Sequence, residues 1–232
     1  HPGVLWDSEI HLKRDGLFGA YGHDPAALIR RRAAAAGQRV YGWECKHLPE
    51  IDLGRFGLSA PEYIERMRSI GMTHIILLRR KNVFRQILST AAAVQRGGTF
   101  HNFRANPESV RFRFDVHKAT VSLRPGEPLA SLIDRFESAH DAVRQAATGG
   151  PFLELTYEDD IQQDVAEGYR KVCGFLGIEP RSVSGSRKPS NPFPTRQMVS
   201  NFDEIRDHLA GTPHAWMVEE ADEPAAAGAS GS

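Results

Sequence analysis

The clearest pattern along the chain is an unbroken apolar run from Ile75 to Leu78. A short continuous run of this kind is typical of a parallel strand that is covered on both faces. We therefore predict a strand over residues 73–78. Apolar stretches at 40–43 and 151–157 predict two more strands, and the alternation of apolar and basic residues over 110–114 predicts a half-exposed one.

Helix start signals lie between these predicted strands. Asp24 suits an N-cap and Pro25 suits the first helical position. Ser59 and Glu62 have the spacing of a capping box, which predicts a second helix. Further helices are predicted over residues 82–95, 129–147 and 160–176. Because helices and strands alternate with short joints, we predict the α/β class with βαβ units and a mostly parallel sheet.

Composition narrows the class of protein. The 29 Lys and Arg residues balance the 29 Asp and Glu residues, which gives no support for a nucleic-acid partner. The longest apolar stretch is too short to cross a bilayer, so no transmembrane segment is expected. The two cysteines lie far apart and fit a reducing compartment, and we expect a cytoplasmic protein. No pair of His or Cys residues has zinc spacing, so no metal is expected.

A basic turn follows the clearest predicted strand. Arg79, Arg80 and Lys81 lie just beyond the strand's carboxyl end, and Asn82 can cap the helix that comes next. Ligands of open α/β sheets bind at this edge, and a helix N-terminus favours an anion. Arginine adds a planar fork of donors that suits phosphate. The pattern therefore predicts a site for a phosphate-like anion, with a solvated basic turn as the alternative.

The same stretch resembles the 3′-phosphate-binding segment of sulfotransferases, particularly bacterial and carbohydrate-type members. These enzymes pair an Arg at the strand end with a Ser on the following helix, and the matching positions are Arg80 and Ser89. Because Arg79, Arg80 and Lys81 are adjacent, the alignment leaves open which of them meets the phosphate.

Other stretches resemble the same family in the family's order: 1–4 with Glu9, 41–46, 95–101, 155–159 with 175–178, and 201–204 with 209–212. The resemblance implies one sulfotransferase-like domain over residues 1–220, with a three-layer P-loop-NTPase-like fold and a mostly parallel central sheet flanked by helices. The Ala/Gly/Ser-rich tail 221–232 is expected to be disordered.

The resemblance also implies an activity, the transfer of a sulfuryl group from 3′-phosphoadenylyl sulfate to a hydroxyl. The acceptor would belong to a carbohydrate, a glycolipid or another small molecule. The family's Gly/Ser/Thr-rich loop for the 5′ phosphosulfate does not occur in this sequence. We expect that loop and the first strand just before His1. Truncation and loss of the loop are alternatives, and loss would remove activity.

Three residues are candidates for the general base that the acceptor hydroxyl needs. Glu9 follows the family-like HPGV segment, at a place where carbohydrate sulfotransferases carry a catalytic carboxylate. His101 is the second candidate, beside Phe100 and a pair of glycines, and His47 is a weaker one. The alternative for each of them is an ordinary surface residue.

A late basic loop completes the predicted nucleotide site. Arg187 and Lys188 lie where the family closes over the 3′ end of the nucleotide, and a solvated linker is the alternative.

Two other functions stay open. One is a non-catalytic nucleotide- or anion-binding relic of the fold, and the other is a nucleotide-kinase-like protein, although no GxxxxGK[ST] string occurs. The acceptor and the oligomeric state are also open, with a homo-oligomer among the alternatives.

Overall fold

The computed structural model describes residues 1–8, 24–48, 52–95, 111–121, 126–182 and 193–219. The chain divides into two compact units, and each draws on separate stretches of sequence. The first unit contains residues 1–81 and 138–185, and the second contains residues 82–137 and 186–232. None of the described helices is long and apolar enough to span a membrane.

All four described strands belong to the first unit, where they form two parallel pairs. Strand β1 (Val4–Trp6) pairs with β2 (Val40–Gly42), so that Val4 lies opposite Val40. Strand β3 (Ile75–Arg79) pairs with β4 (Phe152–Thr156), so that Ile75 lies opposite Phe152. The parallel pairing that the sequence predicted is confirmed, but a single central sheet is not formed by the described strands.

The helices predicted over residues 82–95 and 129–147 are confirmed to within one residue, whereas the short helices after residue 193 were not predicted. The first unit contains α1 (Pro25–Ala34), α2 (Ala60–Arg68) and α5 (Val165–Leu176). The second unit contains α3 (Val83–Gln95) and the short helices α6 (Thr195–Met198), α7 (Phe202–Leu209) and α8 (Trp216–Glu219). Helix α4 (Leu129–Ala147) begins in the second unit and ends in the first, with the predicted bounds.

Local capping explains why these helices start where they do. The Asp24 carboxylate accepts a hydrogen bond from Ala26 N at 2.9 Å, as the N-cap prediction required. Ser59 and Glu62 form the predicted capping box. Helix α5 ends at Gly177, whose φ of 65° lies in the left-handed region that glycine enters without steric cost.

The two units bury separate sets of apolar side chains. In the first unit Ile29, Leu53 and Leu77 belong to one core cluster. In the second unit Phe84 of α3 meets Phe114 edge to face, with ring centroids 6.3 Å apart, and both rings are buried.

Three expectations from the sequence were wrong. Strand β3 is not covered on both faces, because Leu78 is 53% exposed and Ile76 is 37% exposed. The described residues 111–114 form no strand and make only an isolated parallel bridge between Phe112 and Val199. The predicted helix 160–176 is interrupted, because a π-helical turn (Tyr157–Ile161) precedes α5, which begins only after its N-cap Asp164.

Candidate functional site

The basic turn of residues 79–81 lies beside the π-helical turn Tyr157–Ile161. Both turns belong to the first unit, and they follow strands β3 and β4 directly. The parallel register places Arg79 opposite Thr156, so the two strands end at the same edge. The basic turn therefore faces an acidic one.

Arg79 is held by a carboxylate of the neighbouring strand. Its Nε donates to Glu154 Oε1 at 2.5 Å. Glu154 also accepts hydrogen bonds from Arg144 Nε and Nη2, each at 2.9 Å. The hydrogen bonds from Arg144, and then those from Arg79, lower the pKa of Glu154 to about 2. Glu154 is thus a carboxylate shared by two arginines, and Arg79 is engaged in holding the two strands together.

Lys81 is paired as well. Its ammonium lies 2.7 Å from a carboxylate oxygen of Asp159, and its backbone N–H donates to Glu158 Oε2 at 2.9 Å. The hydrogen bond to Asp159 raises the pKa of Lys81. The carboxylate of Asp159 accepts a second hydrogen bond from Thr156 Oγ1 at 2.9 Å. Two acids of the π-helical turn therefore bind Lys81: Asp159 pairs with its ammonium, and Glu158 accepts its backbone N–H.

Arg80 differs from its two neighbours. Its guanidinium carbon lies 4.0 Å from the centroid of the Tyr157 ring, in the geometry of a cation–π contact. Within the described ranges no carboxylate forms an ion pair with this half-buried arginine. Of the three basic residues that the sequence singled out, Arg80 is the one whose charge has no acidic partner in the described part of the chain.

Asn82 caps α3 as predicted, within the second unit. Its Oδ1 accepts from the backbone N–H of Arg85 at 3.0 Å, and its Nδ2 donates to the carbonyl oxygen of Met217 at 2.7 Å. Arg85 donates to Thr195 Oγ1 and to the carbonyl oxygen of Phe193, each at 3.0 Å. Asn82 and Arg85 thus serve the packing of this unit.

The remaining predicted site residues divide into two groups. Ser89 lies half-buried on α3, in the second unit. Four others lie outside the described residues, namely Glu9, His101, Arg187 and Lys188. The structure describes Arg79, Arg80 and Lys81 in one turn, and the roles proposed for all eight residues stay predictions.

Sequence reasoning missed the acids that face the basic turn. Residues 79–81 and 158–160 carry opposite charges, and each run follows a predicted strand. Since parallel strands end at the same edge, pairing these two strands would have predicted the ion pair of Lys81 with Asp159. The missing information was which strands are neighbours.

One group of side chains in the second unit has the donor types of a cation site. Ligand atoms of Asp134, Glu137 and His214 all lie within 4.8 Å of one another. His214 Nε2 also lies 2.8 Å from Asp134 Oδ1, and this hydrogen bond accounts for the buried ring. We therefore assign no cation to these residues.

Comparison of the chain with protein-family models, with curated proteins and with solved structures gives no match. The function is accordingly argued from the residues themselves.

Proposed function

We propose that this chain is a sulfotransferase in which Arg80 binds the 3′-phosphate of 3′-phosphoadenylyl sulfate. The observation that carries the proposal is the position of Arg80 at the carboxyl end of β3, where it makes no ion pair with a described residue. The ordered family-like stretches along the sequence support the same function. The three-layer fold with one central sheet belongs to this proposal too, and the parallel pairing of both strand pairs supports it.

Energetics favour Arg80 over its neighbours as the phosphate ligand. A phosphate that bound Arg79 or Lys81 would compete with Glu154 or Asp159, which already accept their hydrogen bonds. Arg80 has no such competitor among the described residues. A guanidinium that lies over an aromatic ring keeps the N–H donors along its edge for a bidentate contact with phosphate oxygens.

The proposed reaction needs little covalent chemistry from the protein. The acceptor hydroxyl oxygen attacks sulfur, the bond from sulfur to the bridging phosphate oxygen breaks, and adenosine 3′,5′-bisphosphate leaves. A base takes the hydroxyl proton, and the candidates are Glu9 and His101 from the sequence. In-line positioning and charge stabilisation of the leaving phosphate supply most of the rate, as in phosphoryl transfer. The acceptor class is a carbohydrate, glycolipid or small-molecule alcohol.

Calorimetric titration with adenosine 3′,5′-bisphosphate tests the proposal. Arg80→Ala should weaken binding at least tenfold, because a hydrogen bond to a charged group contributes about 1.5–3 kcal/mol. The same variant should leave the affinity for adenosine 5′-monophosphate nearly unchanged, since that nucleotide lacks the 3′-phosphate. Arg30→Ala, which removes an exposed arginine of α1, is the matched control and should change neither affinity.

Two results would overturn this assignment. Equal bisphosphate affinity in the folded Arg80→Ala variant and the wild type would remove Arg80 from the nucleotide site. Tighter binding of ATP and adenosine 5′-monophosphate than of the bisphosphate would favour the kinase-like alternative.

A further inference from the structure

The first unit contains a cavity of about 540 Å³ whose walls include consecutive residues of two strands. Residues 40–43, which contain β2, line it, and so do residues 73–77, which contain most of β3. Successive side chains of a strand point to opposite faces of the sheet, so a face would contribute only alternate residues to a wall. The unbroken runs therefore indicate that the edges of β2 and β3 border the cavity.

The edge of β3 at the cavity is the one that β4 leaves free. The N–H of Ile75 bonds to the carbonyl oxygen of Pro151 at 3.1 Å, on the β4 side. Alternate residues of a parallel ladder direct both backbone groups to the same neighbour. Ile75 and Leu77 therefore bond towards β4, whereas Ile76 directs its N–H and C=O to the opposite edge. No described strand pairs with that opposite edge.

The free edge of β2 is identified in the same way. The N–H of Val40 bonds to the carbonyl oxygen of Gly3 at 2.9 Å. The carbonyl oxygen of Gly42 accepts from the N–H of Asp7 at 3.0 Å, also on the β1 side. Tyr41 lies between Val40 and Gly42, so its backbone groups point away from β1. In the described part of the chain β2 pairs with β1 alone, so its other edge has no strand partner there.

The side chains along these strands are mostly apolar. Leu77 is buried, while Ile76 and Trp6 remain 37% and 56% exposed although both line the cavity. Large apolar side chains that stay exposed around a concavity favour a partner that covers them. The polar lining residues Arg39 and His74 precede β2 and β3, so they do not interrupt the strands.

The volume of the cavity suits a short strand. A strand rises about 3.3 Å per residue, neighbouring strands lie about 4.8 Å apart and packed sheets about 10 Å apart, which gives roughly 160 Å³ per residue. The cavity of about 540 Å³ therefore holds roughly three to four residues of a strand. This length is comparable to the runs 40–43 and 73–77 that border it.

We propose that the cavity is a strand-addition site, which binds an extended apolar polypeptide segment of a partner between β2 and β3 and joins the two strand pairs into one sheet. Backbone hydrogen bonds to both edges give the affinity, and the apolar walls select the side chains. The proposal does not depend on the proposed function, because neither the nucleotide nor the basic turn takes part. Failure of one leaves the other standing.

The probe for this site is the peptide acetyl-Lys-Thr-Val-Ile-Val-Thr-Lys-amide, whose terminal lysines keep it soluble. Calorimetric titration should give one peptide per chain. A control peptide with an N-methyl group on its central isoleucine keeps every side chain but loses one backbone donor. It should bind about tenfold more weakly, because a hydrogen bond is lost and the methyl group obstructs the strand edge.

Amide hydrogen exchange followed by NMR locates the bound peptide. In the free protein the amides of Ile75 and Leu77 should exchange slowly because they bond to β4, and those of Tyr41 and Ile76 should exchange faster. Saturating peptide should slow exchange at Tyr41 and Ile76 about tenfold or more, because strand addition gives these amides new acceptors. A ligand that only filled the cavity would not select alternate residues.

Variants assign the binding to the free edge of β3. Ile76→Pro removes the N–H at that edge but spares the ladder to β4, and it should weaken peptide binding about tenfold. Ile76→Lys keeps the N–H, adds a charge to the apolar wall and should also weaken binding, which provides a second test if the proline variant does not fold. Val94→Lys alters an exposed apolar residue of the second unit and is the matched control.

The proposal fails if the peptide does not bind saturably, if the N-methylated peptide binds equally well, or if bound peptide leaves exchange at Tyr41 and Ile76 unchanged. A dimer in light scattering that protects the same amides without peptide would overturn it too, since the edges would then belong to a second copy of the chain.

Discussion

The first unit contains both the basic turn and a cavity lined by Trp43, Tyr63 and Leu77, and the two places differ in whether their polar side chains are ionised. At the turn the groups stay ionised, and Glu154 and Asp159 neutralise Arg79 and Lys81. In the cavity wall burial keeps Cys45 and His47 neutral. The difference follows solvent access, since a half-exposed charge can be paired at little cost whereas a buried one is expensive.

This contrast indicates which ligand each place can take. At the turn Arg79 and Lys81 already form ion pairs with described acids, so we expect an anion to bind through Arg80. Among the described residues that line the cavity none offers a buried charge, and the stacked rings of Tyr41 and Trp43 form part of its wall. A count of basic residues alone would overestimate the positive charge that the turn presents to an anion, and it would not reveal the cavity.

The largest expected effect is a loss of stability on acidification, which protonates the buried histidines His47 and His140. Burial lowers the pKa of both His47 and His140 to about 4, from an ordinary value near 6.5. Between these values the unfolded chain holds more protons than the folded one, so the free energy of unfolding falls as the pH drops from 6.5 towards 4. We expect a loss of about 3 kcal/mol between pH 7 and pH 5, measured by urea denaturation.

The pH experiment has internal controls. The two arginines lower the pKa of Glu154 to about 2, so its stabilisation is fully present above pH 5 and is lost only as the pH falls below about 4.5. His140→Phe removes one of the two buried rings and should reduce the slope between pH 7 and pH 5. A stability that stays constant down to pH 5 would show that the two rings are not buried as a neutral pair.

Removing the shared carboxylate should have the next largest effect. Glu154→Ala leaves Arg79 and Arg144 without their common acceptor, in a place where the Glu154 side chain is 24% exposed. We expect the free energy of unfolding to fall by about 2 kcal/mol, less than for a fully buried pair because solvent reaches the site. Urea denaturation at pH 7 measures the change.

The matched control is Glu167→Ala, which removes an exposed carboxylate that pairs with Arg170 on α5. That change should alter the free energy of unfolding much less than Glu154→Ala does, because solvent screens an exposed pair. Equal effects of the two substitutions would mean that the network around Glu154 is no stronger than a surface ion pair.

The smallest expected effect concerns the Tyr157 ring beneath Arg80. Tyr157→Leu removes the aromatic face and should weaken binding of adenosine 3′,5′-bisphosphate about threefold, since such a contact contributes about 0.5–1 kcal/mol. Tyr157→Phe keeps the face and should bind like the wild type. In an Arg80→Ala background Tyr157→Leu should have no further effect, and an undiminished effect there would mean that the ring does not act through Arg80.

Short-range features were predicted well from the sequence. Asp24, Ser59 and Asn82 act as caps because each bonds to a backbone N–H within the next few residues. Helix α4 was predicted with its bounds because its apolar positions repeat along one long segment. These features depend on neighbours along the chain, which one sequence displays.

Features that join distant segments were predicted less well. The exposed face of β3 at Ile76 and Leu78 could not be seen from the apolar run, because the run does not say what packs on it. The pairing of Arg79 with Glu154 and the contact of His47 with His140 each join segments far apart in the chain. They depend on register and packing, which periodicity does not encode.

The sequence by itself determined the α/β class, the helix starts and the presence of a basic turn after a strand, because backbone capping and apolar periodicity act over a few residues. Only the tertiary structure decided that Arg79 and Lys81 are neutralised while Arg80 lies on Tyr157, and that neutral side chains line a cavity. The physical reason is that ion pairing and burial depend on which distant segments become neighbours in the fold. Pairing and burial in turn set the charge that each side chain presents to a ligand.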